Sequence, residues 1–348
     1  MVALPHLRRA LQRASVHSAA PLTNSSRVSE ASGLMLRTIV GALLGTLLAL
    51  AAGVGGPALS LDAPIPAIRL VGAAPESAPL INLVVLGDSY ASAATPFDRG
   101  TLALLGAPSV CARGPAWPRL LNPTSIRLSL THVSCSGAVV LDLIDRRMRA
   151  NEPVQIQALN DGTDLVMLGI GGNDTGFSEV FSACRLEAPA RCGEVADQMA
   201  PRTAALSGTL VRLYREVLRR APNALVIVVL YADSLPLAGE PGLDACPALR
   251  APSDEISDAD LLILDEWGRA IGEQVKGAIA TVDDPRLRTA DMADAFVGHK
   301  ICATEPWQWG RDGDIPFHPN AAGHAALAAR LSQLLDELEA NGAISGRP

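Results

Sequence analysis

Apolar residues gather in five short runs along this chain, and each run has the length of a β-strand. The third and fourth runs are almost continuously apolar, which is typical of parallel strands covered by helices on both faces. The runs predict strands over residues 81–86, 126–133, 165–170, 224–231 and 287–291.

Helical periodicity appears between and after these runs, and it predicts helices over residues 138–149, 199–220, 258–280 and 320–338. The alternation of strands and helices predicts an α/β fold built on a doubly wound parallel sheet. Residues 235–256 are rich in proline, glycine and aspartate, and we expect them to form a long surface loop. On the second helix, the side chains predicted to share one apolar face are Leu206, Leu210, Leu213, Tyr214 and Val217.

Charge is distributed unevenly between the first 60 residues and the rest of the chain. The first 60 residues hold five arginines and one glutamate, whereas the remainder holds 24 basic and 35 acidic residues. Binding to nucleic acid requires neutralisation of phosphates by clustered basic side chains. The acidic balance beyond residue 60 therefore argues against a nucleic-acid partner.

The N-terminal part has the order of a secretory signal. An uncharged apolar stretch begins after Arg37 and is followed by Ala58-Leu59-Ser60, a small-x-small cleavage candidate. The stretch also approaches the length needed to span a membrane, so an uncleaved anchor is the alternative. Met35 is a second candidate start, which would leave an upstream extension. We expect a signal peptide or anchor within residues 1–60, a Pro/Ala-rich tail over 61–79 and one catalytic domain over 80–340.

Six cysteines fit an exported protein. They allow 15 pairings, among which the sequence alone does not choose. Pairing between chain neighbours would staple three separate loops, and buried free thiols are the alternative. No Cys-x-x-Cys or His-x-x-x-His spacing occurs, so no zinc or other metal site is predicted. The six residues are Cys111, Cys135, Cys184, Cys192, Cys246 and Cys302.

Four short polar blocks stand where predicted strands end or where the last helix begins. Ligand sites of open α/β sheets lie at the carboxyl ends of the strands, so these blocks can converge on one edge. A serine after a strand is by itself more often a helix N-cap than a nucleophile, and only the ordered set argues for catalysis. The blocks are Gly87-Asp88-Ser89-Tyr90, Ser134-Cys135-Ser136-Gly137, Gly171-Gly172-Asn173-Asp174 and His318-Pro319-Asn320.

With these four blocks in this order, residues 80–338 resemble the SGNH hydrolases, also called GDSL esterases and lipases. The resemblance implies a flavodoxin-like three-layer α/β/α sandwich with a central parallel sheet of about five strands. It implies that Ser89 is the nucleophile and His318 the base that takes its proton. The backbone N–H groups of Ser89 and Gly137 and the side-chain amide of Asn173 would form the oxyanion hole. Asp88 is expected to shape the turn, and His132, His299 and His324 are expected to be structural.

The group that orients His318 is where the chain departs from the family pattern. The family often has an aspartate three residues before the histidine, and here that position is Ile315. One hypothesis is that Asp314 reaches Nδ1 of His318 through an altered loop. The other, which we prefer, is that the backbone carbonyl of Ile315 accepts that hydrogen bond.

The cysteines add to the resemblance, because together with the blocks they look like secreted, disulfide-bonded esterases and lipases of actinobacteria. That likeness implies that Cys111–Cys135 braces the loop with Gly137 and that Cys246–Cys302 ties the long loop to the segment before His318. Aromatic residues near the blocks are candidates for an apolar acyl site or for the core: Phe97, Trp117, Phe177, Trp307 and Trp309.

The resulting hypothesis is a secreted hydrolase of carboxylic esters that uses no cofactor. We expect a monomer that acts on a small-molecule or lipid ester, and association with the membrane or cell envelope is compatible with the N-terminal segment. An acyltransferase and a non-catalytic envelope-binding module are the alternatives. The module should lack at least one of the four site residues, and none is lacking.

Overall fold

The computed structural model describes residues 74–93, 111–186, 190–250, 254–310 and 315–344. The predicted signal or anchor, most of the tail, Phe97 and Asp314 lie outside these ranges. In the part of the chain that is described, no helix is both long enough and apolar enough to cross a membrane.

A five-stranded, all-parallel sheet forms the centre of the molecule. All five predicted strands are confirmed, with ends that differ by at most two residues. The strand order is β2-β1-β3-β4-β5, so the chain moves from β1 to one side and then crosses to the other. This reversal creates a crevice at the carboxyl ends of β1 and β3. The strands are β1 Leu80–Gly87, β2 Arg127–His132, β3 Leu165–Gly169, β4 Leu225–Val229 and β5 Leu287–Ala290.

Helices cover both faces of the sheet, as the alternating pattern predicted. The first predicted helix ends early, because the chain leaves helical geometry at Asp145. The second begins nine residues before the predicted start and contains Pro201 in its interior. The described helices are α1 Ser89–Ser92, α2 Trp117–Leu120, α3 Val140–Ile144, α4 Phe177–Leu186, α5 Ala190–Arg220, α6 Pro247–Arg250, α7 Asp258–Val282 and α8 Ala321–Ala340, with 3-10 turns at Gln155–Ala158, Leu243–Ala245 and Ala293–Phe296.

Alternate residues of each central strand point to opposite faces of the sheet and build two cores. In β3, Val166 and Leu168 pack on the side of α5 and α7, whereas Leu165 and Met167 pack on the side of α8. Burying each such side chain contributes roughly 1.5–3 kcal/mol. The five apolar residues predicted for one face of α5 are all buried in the first core. The fold is therefore the flavodoxin-like three-layer α/β/α sandwich.

Three disulfides join chain neighbours, which confirms that pairing: Cys111–Cys135, Cys184–Cys192 and Cys246–Cys302. Cys184–Cys192 ties the end of α4 to the first turn of α5. The disulfide therefore holds the start of α5, which lies before the predicted helix start at residue 199.

The segment 235–256 is not simply a surface loop. It contains a 3-10 turn, α6 and a two-residue strand, and its Leu243, Leu249 and Ile256 side chains are buried in the core. Burial of these apolar groups, together with the disulfide from Cys246, holds a segment whose composition resembles that of an exposed loop.

Candidate active site

The turn after β1 holds Ser89 at the carboxyl edge of the sheet. Gly87 has φ +141°, and a Cβ there would lie 2.6 Å from the carbonyl oxygen of Gly169 on β3, so only glycine fits. The Gln155 side chain accepts from the Gly87 N–H at 2.8 Å and donates to its carbonyl at 2.9 Å. Asp88 then caps α1 by accepting from the Tyr90 N–H at 3.0 Å. Ser89 thus begins the helix at a tightly held position.

His318 contacts this serine from the segment that precedes α8. Its Nε2 lies 2.8 Å from Oγ of Ser89, which is 8% exposed. The segment is held by backbone bonds to Trp309, which donates to the His318 carbonyl and accepts from the Phe317 N–H. The structure therefore brings together two residues that are 229 positions apart in the chain.

A backbone carbonyl does contact Nδ1 of His318, but it is not the one expected. The oxygen is that of Pro316, at 3.0 Å. The Ile315 carbonyl instead accepts from the backbone N–H of His318 at 3.2 Å, which closes a turn. Because a carbonyl can only accept, Nδ1 carries the proton in this contact, and Nε2 of the neutral ring can accept from the Ser89 hydroxyl.

The second and third blocks meet beside the serine. Gly137 has φ +81°, and Nδ2 of Asn173 donates to the neighbouring Ala138 carbonyl at 3.0 Å. The Asp174 carboxylate accepts from the Val140 N–H at 3.1 Å and so ties the same two loops together. Burial raises the pKa of Asp174 to about 6. Gly137 and Asn173 line the same cleft as Ser89 and His318.

Two tyrosines that sequence reasoning did not assign to the site complete its framework. Tyr231, just beyond β4, donates its hydroxyl to Oδ2 of Asp88 at 2.6 Å and accepts from the Gly172 N–H at 3.1 Å. Tyr90 donates its hydroxyl to the Phe317 carbonyl at 2.8 Å. Tyr231 ends the fourth apolar run and Tyr90 belongs to the first block, so the carboxyl-end rule was a signal that could have found both.

Asp88 is a turn-shaping residue, as expected, and it is also a buried acid. It is 2% exposed, and burial raises its pKa to about 6 although hydrogen bonds from Tyr231 and Tyr90 oppose the shift. Burial, reinforced by the neighbouring carboxyl, raises the pKa of Tyr231 well above its ordinary value. The tyrosine therefore keeps its proton and acts as the donor.

The cleft has a volume of about 460 Å³ and one strongly apolar side. Phe177 and Phe181 of α4, Trp267 of α7 and Phe317 line it, with ring centroids 3.7–5.8 Å apart between successive pairs. Of the singled-out aromatic residues that the structure describes, Phe177 is the one that lines this cleft. Trp117 and Trp307 pack with the core on the other face of the sheet, and Trp309 hydrogen-bonds through its backbone to the segment carrying His318.

The other histidines in the described part of the chain have structural contacts. His324 lies inside α8, and its Nδ1 accepts from the Trp117 N–H at 3.4 Å. The His132 ring contacts the Ser134 hydroxyl, and His299 stacks on Trp307. Among the residues that the structure describes, no group of three or more His, Cys, Asp or Glu side chains could hold a metal ion.

A serine and a histidine in hydrogen-bond contact at the carboxyl edge of a flavodoxin-like sheet are the arrangement typical of serine hydrolases with an α/β fold. The model of the GDSL-like Lipase/Acylhydrolase family matches residues 85–326, and the chain belongs to that family. It is therefore a carboxylic ester hydrolase.

Several proteins of Streptomyces are similar to this chain. A lipase of Streptomyces rimosus is 28% identical over 274 residues, which cover 75% of this chain and 90% of the relative. Lipase 1 of Streptomyces coelicolor is 28% identical, with 70% and 82% covered. The crystal structure of the extracellular lipase from Streptomyces rimosus superposes with a TM-score of 0.54 at 25% identity, covering 73% of this chain and 99% of that one. Phospholipase A1 from Streptomyces albidoflavus NA297 gives 0.55 at 28% identity, with 74% and 99% covered.

Proposed function

We propose that the chain hydrolyses esters through an acyl-enzyme on Ser89. The observation that carries this proposal is the 2.8 Å contact between Oγ of Ser89 and Nε2 of His318, with Nδ1 already committed to a carbonyl. A serine hydroxyl becomes an effective nucleophile when an adjacent base takes its proton, and this geometry supplies that base.

In the first step Oγ of Ser89 forms a bond to the ester carbonyl carbon while its proton passes to Nε2 of His318. The carbonyl π electrons move to oxygen, and the oxyanion is bound by the Ser89 and Gly137 N–H groups and by the Asn173 amide. Collapse of this intermediate breaks the bond to the alcohol, which takes the proton from His318. Water then attacks the acyl-enzyme with His318 again as base, releasing the carboxylic acid and restoring Ser89. Each oxyanion donor is worth about 3 kcal/mol in enzymes of this kind.

The Pro316 carbonyl, in this mechanism, holds the His318 ring in the tautomer that can accept from Ser89. It carries no full charge, so it stabilises the imidazolium less than a carboxylate would. Asp314 remains the alternative for that electrostatic role.

The acyl group of the substrate would lie against the aromatic side of the cleft. This orientation is supported by the apolar character of Phe177, Phe181 and Trp267 and by relatives that are a lipase and a phospholipase A1. The three disulfides and the likeness to an extracellular lipase support secretion of the chain. Recovery of the activity from the culture medium, with the N-terminus of the secreted form determined by mass spectrometry, tests both secretion and cleavage.

A fluorophosphonate probe, which reacts covalently with activated serines, tests the nucleophile. We expect the wild type to be labelled and Ser89→Ala to be unlabelled. Ser92→Ala is the matched control, because Ser92 is buried in the same short helix and its hydroxyl has no hydrogen-bond partner among the described residues. Labelling of Ser89→Ala, or an unlabelled wild type, would contradict the mechanism.

A further inference from the structure

The Tyr231 hydroxyl joins two loops that contribute to the proposed chemistry. It donates to Oδ2 of Asp88 at 2.6 Å and accepts from the Gly172 N–H at 3.1 Å. Asp88 directly precedes Ser89, and Gly172 directly precedes Asn173. One oxygen atom thus connects the turn that carries the nucleophile to the loop that carries the oxyanion-hole amide.

In the described part of the structure, no other side chain takes the place of the Tyr231 hydroxyl at Oδ2 of Asp88 or at the Gly172 N–H. The other carboxylate oxygen of Asp88 accepts from the Tyr90 N–H, and the Gly172 N–H donates to the Tyr231 hydroxyl. Asp88 is 2% exposed, so water does not readily substitute for the lost donor. Removing the hydroxyl therefore leaves a buried acceptor and a backbone donor unsatisfied, and the two loops lose their common anchor.

The Asn173 side chain depends on the position of its backbone. Nδ2 has two hydrogens, and one of them is directed at the Ala138 carbonyl at 3.0 Å. The direction of the other hydrogen then follows from where the backbone of residues 172 and 173 lies relative to Ser89. Donors to an oxyanion act only within a narrow distance range, so a shift of this loop weakens the contact formed in the transition state.

We propose that Tyr231 is a positioning residue for ester hydrolysis, whose hydroxyl sets the Asn173 amide relative to Oγ of Ser89. The inference rests on the roles proposed above for Ser89 and Asn173. Tyr231 does not touch the reacting atoms in this role; it acts through the loop of Gly172.

Tyr231→Phe separates the hydroxyl from the rest of the side chain. The Tyr231 ring contacts the Tyr90 ring edge-on, with centroids 4.9 Å apart, and Tyr90 in turn holds the Phe317 carbonyl next to His318. Phenylalanine keeps this ring contact, so the histidine side of the site is left in place. The matched control is Tyr214→Phe, because Tyr214 is a buried tyrosine of α5 whose hydroxyl has no partner among the described residues.

The test measures kcat and KM on a p-nitrophenyl ester for Tyr231→Phe, Asn173→Ala, the double variant and Tyr214→Phe. We expect Tyr231→Phe to lower kcat by about 10- to 100-fold with KM changed less than about threefold, because the lost interaction is made in the transition state. In the Asn173→Ala background the same change should have little further effect on kcat, since the amide that it positions is gone. Tyr214→Phe should match the wild type.

A kcat for Tyr231→Phe within twofold of the Tyr214→Phe value would overturn the inference. An equal loss in both backgrounds would also overturn it, because additive effects mean that Tyr231 acts independently of Asn173. Full activity of Asn173→Ala alone would instead contradict the oxyanion hole of the proposed function and remove the basis for this role.

Discussion

His324 should make the protein sensitive to mild acid, and replacing it should reduce that sensitivity. The side chain is 4% exposed inside α8, and burial lowers its pKa to about 4, with a smaller contribution from the charge of His318. The ordinary pKa of histidine is about 6.5. Below pH 6.5 the unfolded chain therefore binds a proton at this position that the folded protein does not bind.

The sign and size of the effect follow from this difference in proton binding. Stability rises with pH wherever the unfolded state binds more protons, so the free energy of unfolding falls as the pH decreases from about 6.5 to about 4. With 1.36 kcal/mol per pKa unit, the loss is about 2 kcal/mol at pH 5 and about 3 kcal/mol below pH 4.

Urea unfolding of the wild type and of His324→Asn, at pH 7.5 and at pH 5, measures this loss. Asparagine keeps an oxygen that can accept from the Trp117 N–H but does not titrate in this range. Other groups with shifted pKa values, among them His132 near 4 and Asp88 and Asp174 near 6, are present in both proteins. Their effects cancel when the two proteins are compared.

We expect the wild type to lose about 2 kcal/mol more than the variant between these two pH values. Absolute stability at pH 7.5 need not be equal, because only the change with pH enters the comparison. An equal change in both proteins would refute the reasoning, since it would mean that His324 titrates in the folded state as it does in the unfolded chain.

Three further predictions concern the disulfide, the cleft and the orientation of the base. Replacing both Cys111 and Cys135 by alanine opens a loop with a sequence separation of 24 and should lower the free energy of unfolding by about 3 kcal/mol; an unchanged midpoint in denaturant would contradict this. Trp267→Ala should lower the ratio of kcat/KM for long-chain to short-chain p-nitrophenyl esters about tenfold, because a buried aromatic surface is lost; an unchanged ratio would separate Trp267 from acyl binding. Asp314→Asn should reduce kcat less than His318→Ala does, as the Pro316 contact implies, and an equal loss would assign the orienting role to the carboxylate.

Much of the fold could be predicted because its signals are local. The apolar runs of β3 and β4 reflect burial on both faces of the sheet, and that burial is visible residue by residue in the sequence. The polar blocks that contain Ser89 and Asn173 follow such runs directly, so the carboxyl-end rule placed them on one edge without any coordinates. The early end of α3 and the early start of α5 were missed, because they depend on local dihedral angles and on a disulfide rather than on hydropathy.

The sequence by itself determined the class of fold, the order of the strands along the chain and the four blocks that meet at Ser89. Only the tertiary structure decided which groups support them. The Pro316 carbonyl contacts the His318 ring, whereas the Ile315 carbonyl accepts from the His318 backbone N–H. Tyr231 bonds Gly172 across 59 positions of the chain and Asp88 across 143. The Tyr231 contacts depend on how distant segments pack in three dimensions, and the Pro316 contact depends on the backbone dihedral angles of a turn. The pattern of apolar and polar residues records neither.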